Sequence, residues 1–253
     1  MHPVHAPPST AAAPRYPAPV SARRALAVVG HLDVAAGGAV LDVAEGPSGL
    51  LFDTVVRNGC RGVGLVASEA AAETSRAAAE REGLGGRIEF RATPPPEFTP
   101  TRRFDAILCV AGLGQPAAPA DAAPHCLEWL RAGGVLLCGE PYFRRAPSPG
   151  YREVLGSSAE GLRAAGVSAR AVVAAGFELL LTVVLSESEW DAHETAAYRT
   201  RLAYVATHAG ADEAVELRGH AERWYQAYWK HGRDTLGYAF HAFRKPRHAL
   251  HVV

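Results

Sequence analysis

The sequence is poor in sulfur and carries no excess of either charge: one methionine and four cysteines in 253 residues, with 26 Lys and Arg against 26 Asp and Glu. Without a charge imbalance there is no broad basic surface of the kind on which nucleic-acid affinity rests, so no nucleic-acid partner is expected. A polybasic membrane anchor is excluded on the same ground. No apolar run approaches the roughly 20 residues needed to span a bilayer, so no membrane partner is expected either. Cys60, Cys109, Cys126 and Cys138 lie far apart and form no CxxC pair. That spacing argues against a zinc site or a disulfide framework, and no bound metal is expected. Cys109 and Cys138 fall inside apolar runs, where a free thiol behaves as a small hydrophobe. The opening MHPVHAPPSTAAAPRYPAPV lacks the charged n-region and apolar h-region of a signal peptide. Its Pro and Ala density predicts a flexible tail over 1–20, and the cytoplasm is the expected compartment.

Hydrophobic residues make up 48% of the chain and charged residues 21%, ample material for one core. A single domain is expected over 21–245, with a C-terminal tail over 246–253. Short apolar runs alternate with helical patterns. AVLDV (39–43), GVGLV (62–66), IEF (88–90), FDAILCV (104–110) and GGVLLCGE (133–140) read as buried strands. Helices are predicted between them, at LLFDTVVRN, over 68–82 and around 122–131. This α/β alternation implies a parallel sheet covered on both faces. Beyond Pro141, the Pro- and Ser-containing RRAPSPGY reads as a linker, followed by a helix over 158–175, a strand over 177–185 and helices over 188–208 and 212–231. LGYAFHAFR (236–244) alternates like a final strand.

In an open parallel sheet, ligands bind beyond the carboxyl ends of the strands. LDVAEGPSG occupies such a place. Gly46 and Gly49 would let the backbone approach a ligand closely, and Asp42 could accept a hydrogen bond from a ligand ammonium. A strand-to-helix turn without a ligand fits these residues equally well.

The ordered set LDVAEGPSG, GVGLVASEA, FDAILCVAGLG and RAGGVLLCGEPYF, with the late EW and GYAF pattern, resembles class I S-adenosylmethionine-dependent methyltransferases, in particular small-molecule methyltransferase-like proteins of high-GC bacteria. The resemblance runs from about Tyr16 to Arg244. It implies a Rossmann-like sheet of seven strands in the order 3-2-1-4-5-7-6, the last antiparallel, with a helical insertion over about 186–234. It implies S-adenosylmethionine as cofactor and methyl transfer to an O, N or C nucleophile of a small metabolite. Asp42 matches the acid that holds the cofactor's amino group, and Ala44, Gly46 and Gly49 match the loop beneath its methionine part. Val66 and Ala67 stand at the ribose position and Thr93 at the adenine position. Cys109 and Val110, with Leu113 beyond, match the segment lining the methyl-donor position and the substrate. Glu140 lies where such proteins place polar groups near the substrate.

Three departures stand out. The loop reads AEGPSG where the family has GCGxG, which adds bulk at Ala44 and charge at Glu45. Val66 replaces the acid that holds the ribose hydroxyls, the nearest carboxylate being Glu69. Ala92 and Thr93 stand where an acid recognises adenine. These departures keep open a second reading, in which the fold serves non-methylating catalysis of cyclase or isomerase type, or ligand binding alone.

For the substrate chemistry, Glu140 and His193 are the catalytic candidates; His125, His231 and His241 read more simply as surface or core residues. Leu217, Ala221, Trp224 and Tyr228 recur at helical spacing and mark one buried stripe, packed on the sheet or on a second subunit of a homodimer. Trp190, Tyr225 and Trp229, with Leu113 and Tyr142, are the candidates for an apolar substrate pocket. Arg144 and Arg145 read as a solvated pair.

Overall fold

The computed structural model describes residues 15–16, 18–43, 49–111, 119–208 and 212–247. After helix α1 (Ala22–Val29), capped by the Ser21 side chain, the chain enters β1 (Ala39–Asp42), in which all four residues are buried. It alternates through α2 (Gly49–Asn58), β2 (Arg61–Leu65), α3 (Glu69–Arg81), β3 (Ile88–Arg91), β4 (Phe104–Val110), α4 (Pro119–Trp129) and β5 (Leu130–Phe143). These five strands are parallel and stand in the order β3-β2-β1-β4-β5. Leu41 sits between Val63 and Ile107 in the register. A strand so enclosed has both faces covered, which is why β1, β2 and β4 read as continuous apolar runs rather than alternating ones.

The expected helix over 158–175 is not one helix. The chain forms α5 (Pro149–Leu155), a 3₁₀ turn at Gly156–Ala159, the two-residue strand β6 (Arg163–Ala164) beside β5, and α6 (Val167–Ala174). Gly166, inside the expected span, is left-handed (φ 72°), a backbone that a right-handed helix cannot contain. The stretch read as a linker supplies the start of α5, whose Ser148 side chain accepts from the Tyr151 N–H. A serine cap followed by Pro149 in the first turn is a strong helix start.

After β7 (Glu178–Val184), helices α7 (Glu187–Thr207) and α8 (Asp212–Ala227) form the insertion, and α8 runs on through a π-helical turn at Tyr228–Gly232. The closing strand β8 (Leu236–Arg244) lies antiparallel between β5 and β7. With the short side pair β6 set aside, the order is the expected seven-strand one. The core has two halves. One gathers Val40, Leu51, Phe90, Trp190 and Tyr238 beneath α1, α2 and α7. The other gathers Leu41, Ile107, Trp129, Val172 and Phe243 beneath α4 and α6. No helix among the described residues is long and apolar enough to cross a membrane.

Candidate active site

From β1 the chain builds outward to β2 and β3 on one side, and to β4 and β5 on the other. The carboxyl ends of β1 and β4 therefore flank the switch point, the place at which an open α/β sheet offers its ligand crevice. Asp42 ends β1 there, 2% exposed, between Gly64 and Leu108. Across the crevice, the N–H of Ala111 donates to the Gly139 carbonyl (2.8 Å), carrying the β4 backbone past Cys109 and Val110, both buried. Ala44, Gly46 and Leu113 lie outside the described residues.

Gly49 opens α2, and its N–H donates to the carbonyl of Arg15 (2.9 Å). Arg15 and Tyr16, within the stretch over 1–20 expected as a tail, are thus anchored at this point. Arg15 reaches Asp53 and Glu82, each at 2.6 Å, and the Tyr16 hydroxyl donates to the other Asp53 oxygen at 2.7 Å. A Cβ on Gly49 would stand 2.5 Å from both Cγ and the carbonyl oxygen of Arg15. Gly49→Ala is expected to lift this strap and cost about 1–3 kcal/mol of stability, read from urea unfolding.

On the ribose side, Val66 is 2% exposed and belongs to the apolar half-core under α2 and α3, its N–H donating to the Arg91 carbonyl. Ala67 is exposed and Thr93 half-buried. Glu69, the nearest carboxylate in sequence, is ion-paired to Arg76 (2.8 Å) on the exposed face of α3.

The insertion packs on β8 beside the end of β4. A capping box at Ser186 and Glu189 starts α7, and Trp190 follows within its first turn, 3% exposed. The Trp190 ring lies 6.4 Å from those of Tyr228 and Tyr238, and 6.2 Å from His193. The Tyr238 hydroxyl donates to the Ala111 carbonyl (2.8 Å), which ties this aromatic group to the end of β4. Burial and the Arg201 charge lower the His193 pKa to about 4. The next residue, Glu194, is buried and accepts from the Trp224 indole N–H at 2.7 Å; desolvation raises its carboxyl to about 7, opposed by that bond and by Arg201. Asp191 takes both the Tyr228 hydroxyl (2.7 Å) and Arg233, fixing the π-helical turn against α7. Among the described residues, the buried Trp190 Nε1 and Tyr151 hydroxyl have no hydrogen-bond partner.

No family model matches the sequence. The chain is 24% identical over 217 residues to the uncharacterized protein YjhP of Escherichia coli (strain K12), spanning 81% of this chain and 84% of that one. Among solved structures, it superposes on a SAM-dependent methyltransferase from Geobacter sulfurreducens in complex with S-adenosyl-L-homocysteine, with a TM-score of 0.79 at 22% identity, covering 91% and 94% of the two chains. This is the class I methyltransferase fold. The [4+2]-cyclase SpnF has it too: TM-score 0.71 at 23% identity, covering 88% of this chain and 80% of that one.

Within this methyltransferase fold the sequence candidates do not all meet. Trp190 and His193 stand together at the crevice. Glu140 does not join them: strand alternation puts it on the face of Leu136 and Cys138, beside α6. Burial raises its carboxyl, while Ser168 and Arg163 draw it down. Tyr142 shares that face, its ring seated over Gly237, where an added Cβ would meet it at 2.4 Å. Tyr225 stacks on Tyr198 at 4.5 Å, and Trp229 is 47% exposed, so these two lie outward while Tyr228 and Trp224 face in. His125 stacks on Trp129, His231 lies beside Tyr151, and His241 contacts the Thr182 hydroxyl at 2.9 Å. Arg144 and Arg145 each hold a carboxylate at the exposed surface, Glu187 at 3.0 Å and Asp234 at 2.8 Å. Tyr151, Tyr228 and Tyr238 entered the site unforeseen. The signal for Tyr238 was the period-two pattern of β8, and for Tyr228 the register of the α8 stripe; Tyr151, on α5, had none. Among the described residues, no group of His, Cys, Asp and Glu could hold a metal ion.

Proposed function

We propose that the protein is an S-adenosylmethionine-dependent methyltransferase acting on an O, N or C nucleophile of a small metabolite. The observation that carries this reading is Asp42, a buried carboxylate at the carboxyl end of β1, on the crevice where the strand order reverses. The donor set fits the methionine part of the cofactor, since a carboxylate there can hold an ammonium. It fits the ribose less well, because Val66 is packed into the core. When bound, the cofactor supplies an electrophilic methyl group on a sulfonium.

The chain's own residues then do the following. Asp42 would orient the ammonium. Trp190, Tyr228 and Tyr238 would wall the acceptor from water, which strengthens every polar contact inside. The Trp190 N–H and Tyr151 O–H, buried without partners among the described residues, are donors able to orient a substrate acceptor atom. His193 is neutral at pH 7 and can take a proton on its ring; its low basicity favours acceptors that release a proton readily.

The buried Val66 supports a second reading, in which the crevice serves non-methylating catalysis or binding; the likeness to the cyclase SpnF supports it as well. Titration calorimetry separates the two. Methyl transfer requires binding of S-adenosylmethionine and S-adenosylhomocysteine with Kd values of about 1–100 μM. Absence of heat at about 1 mM ligand, a binding energy weaker than about 4 kcal/mol, would leave only the second reading.

A further inference from the structure

At the end of the sheet away from Asp42, the amino end of β2, edge strand β3 and α3 enclose a cleft of about 370 Å³. Arg61, on its rim, pairs with the first residue of β1, whereas Asp42 pairs with Gly64. The Arg61 end is therefore set back about 10 Å along the strands, while Phe90, which pairs with Gly64, lies level with Asp42 but about 10 Å to the side, two strands out from β1. Its size is that of a small-molecule site, about 300 Å³ or more.

Four arginines line it, Arg61, Arg76, Arg87 and Arg102, against two carboxylates, Glu80 and Glu89. Their commitments differ. Arg76 is neutralised by Glu69, and Glu89 by Arg91. Arg87 donates only to the carbonyls of Val55 and Cys60, so its charge has no carboxylate partner. Among the described residues, the Arg61 and Arg102 side chains make no ion pair or hydrogen bond, although the Arg102 charge helps hold the Glu89 carboxyl down; Glu80 has no cation partner, and its carboxylate rests against Gly85. Four cations against two anions give the lining an excess of two positive charges, in a chain whose net charge is zero. Gly85 and Gly86 also line the cleft, and their N–H groups donate to no described residue. Guanidinium forks and free backbone N–H groups, in a pocket carrying a double positive excess, match one chemistry: a tetrahedral oxyanion of charge near minus two.

We propose that this cleft binds a phosphate dianion, free or carried on a small organic molecule, at a site separate from the methyl-transfer crevice. Nothing in it depends on the cofactor, so the proposal and the methyltransferase reading can fail independently.

Calorimetry on the full chain at low ionic strength, with inorganic phosphate, glycerol 3-phosphate and glycerol as probes, tests it. Heat is expected from one or both anions and none from glycerol. The double variant Arg61→Ala/Arg102→Ala, altered at two exposed positions, should retain its thermal unfolding midpoint and bind the anion at least about tenfold more weakly. Tighter binding of the ester supports an organic phosphate as the ligand, and equal binding supports the free ion. Absence of heat from both anions at about 10 mM would overturn the proposal, as would unchanged affinity in the double variant.

Discussion

Replacing Asp42 with alanine is expected to weaken S-adenosylmethionine binding by about 10- to 100-fold, the loss that follows from removing a charge-assisted hydrogen bond of about 1.5–3 kcal/mol. The carboxylate is 2% exposed, so the contact is screened little by water or salt. Asp42→Asn preserves the shape and deletes the charge, and should lose affinity by about tenfold. The ligand panel makes the result specific. S-adenosylhomocysteine carries the same ammonium and should suffer equally. 5′-Methylthioadenosine lacks the amino-acid part and should bind both variants as it binds the parent protein. Equal losses for all three ligands would mean that the substitution disturbs the β1 end rather than removing a contact. Unchanged binding of S-adenosylmethionine would remove Asp42 from the site.

The parallel half of the sheet was legible because β1, β2 and β4 are enclosed on both faces, so each reads as an unbroken apolar run. The segment after β5 was not. Its apolar content suggested one helix, but Gly166 takes left-handed backbone, and a glycine in sequence does not declare which conformation it adopts. The placement of candidate residues was legible at strand ends, as at Asp42, Cys109 and Val110. The face that a side chain takes was not legible. Glu140 and His193 each lie on an expected element, yet the pleat of β5 sends Glu140 toward α6 while α7 brings His193 beside Trp190. On α8, one residue is about 100° of rotation, so Tyr228 faces Trp190 while Trp229 faces solvent. The stripe itself was visible, but the side of the lid that meets the sheet was not. The strap from Arg15 and Tyr16 to Asp53 is a contact across 37 to 38 residues, which proline and alanine content cannot announce.

Glu194 and His193, adjacent on α7, are expected to give the lid opposite pH responses that mask each other in the native protein. Burial raises the Glu194 carboxyl from an ordinary 4.5 to about 7. Between those values the unfolded chain has released a proton that the folded chain retains, so this group's contribution is complete below pH 4.5 and lost as pH rises through 7. His193 runs the other way, lowered from 6.5 to about 4. Its contribution is complete above pH 6.5 and lost as pH falls through 4, where the folded chain must at last accept a proton that the unfolded chain took up earlier. From 4.5 to 6.5 both groups act, each with a slope of about 1.4 kcal/mol per pH unit and with opposite signs, so they cancel to first order. Arg201 faces both residues, and Trp224 holds Glu194 through its indole. Glu194→Gln keeps an acceptor for that indole and leaves His193 alone. Urea unfolding should then show stability rising by about 3 kcal/mol from pH 4.5 to 6.5 relative to the parent. His193→Gln leaves Glu194 alone, and stability should fall by a similar amount over the same window. The background from exposed carboxylates is common to all three proteins and drops out of the comparison. Slopes of the same sign in the two variants would show that these side chains do not titrate inside the lid, and the picture of a dry, closed cover over the crevice would fail with them.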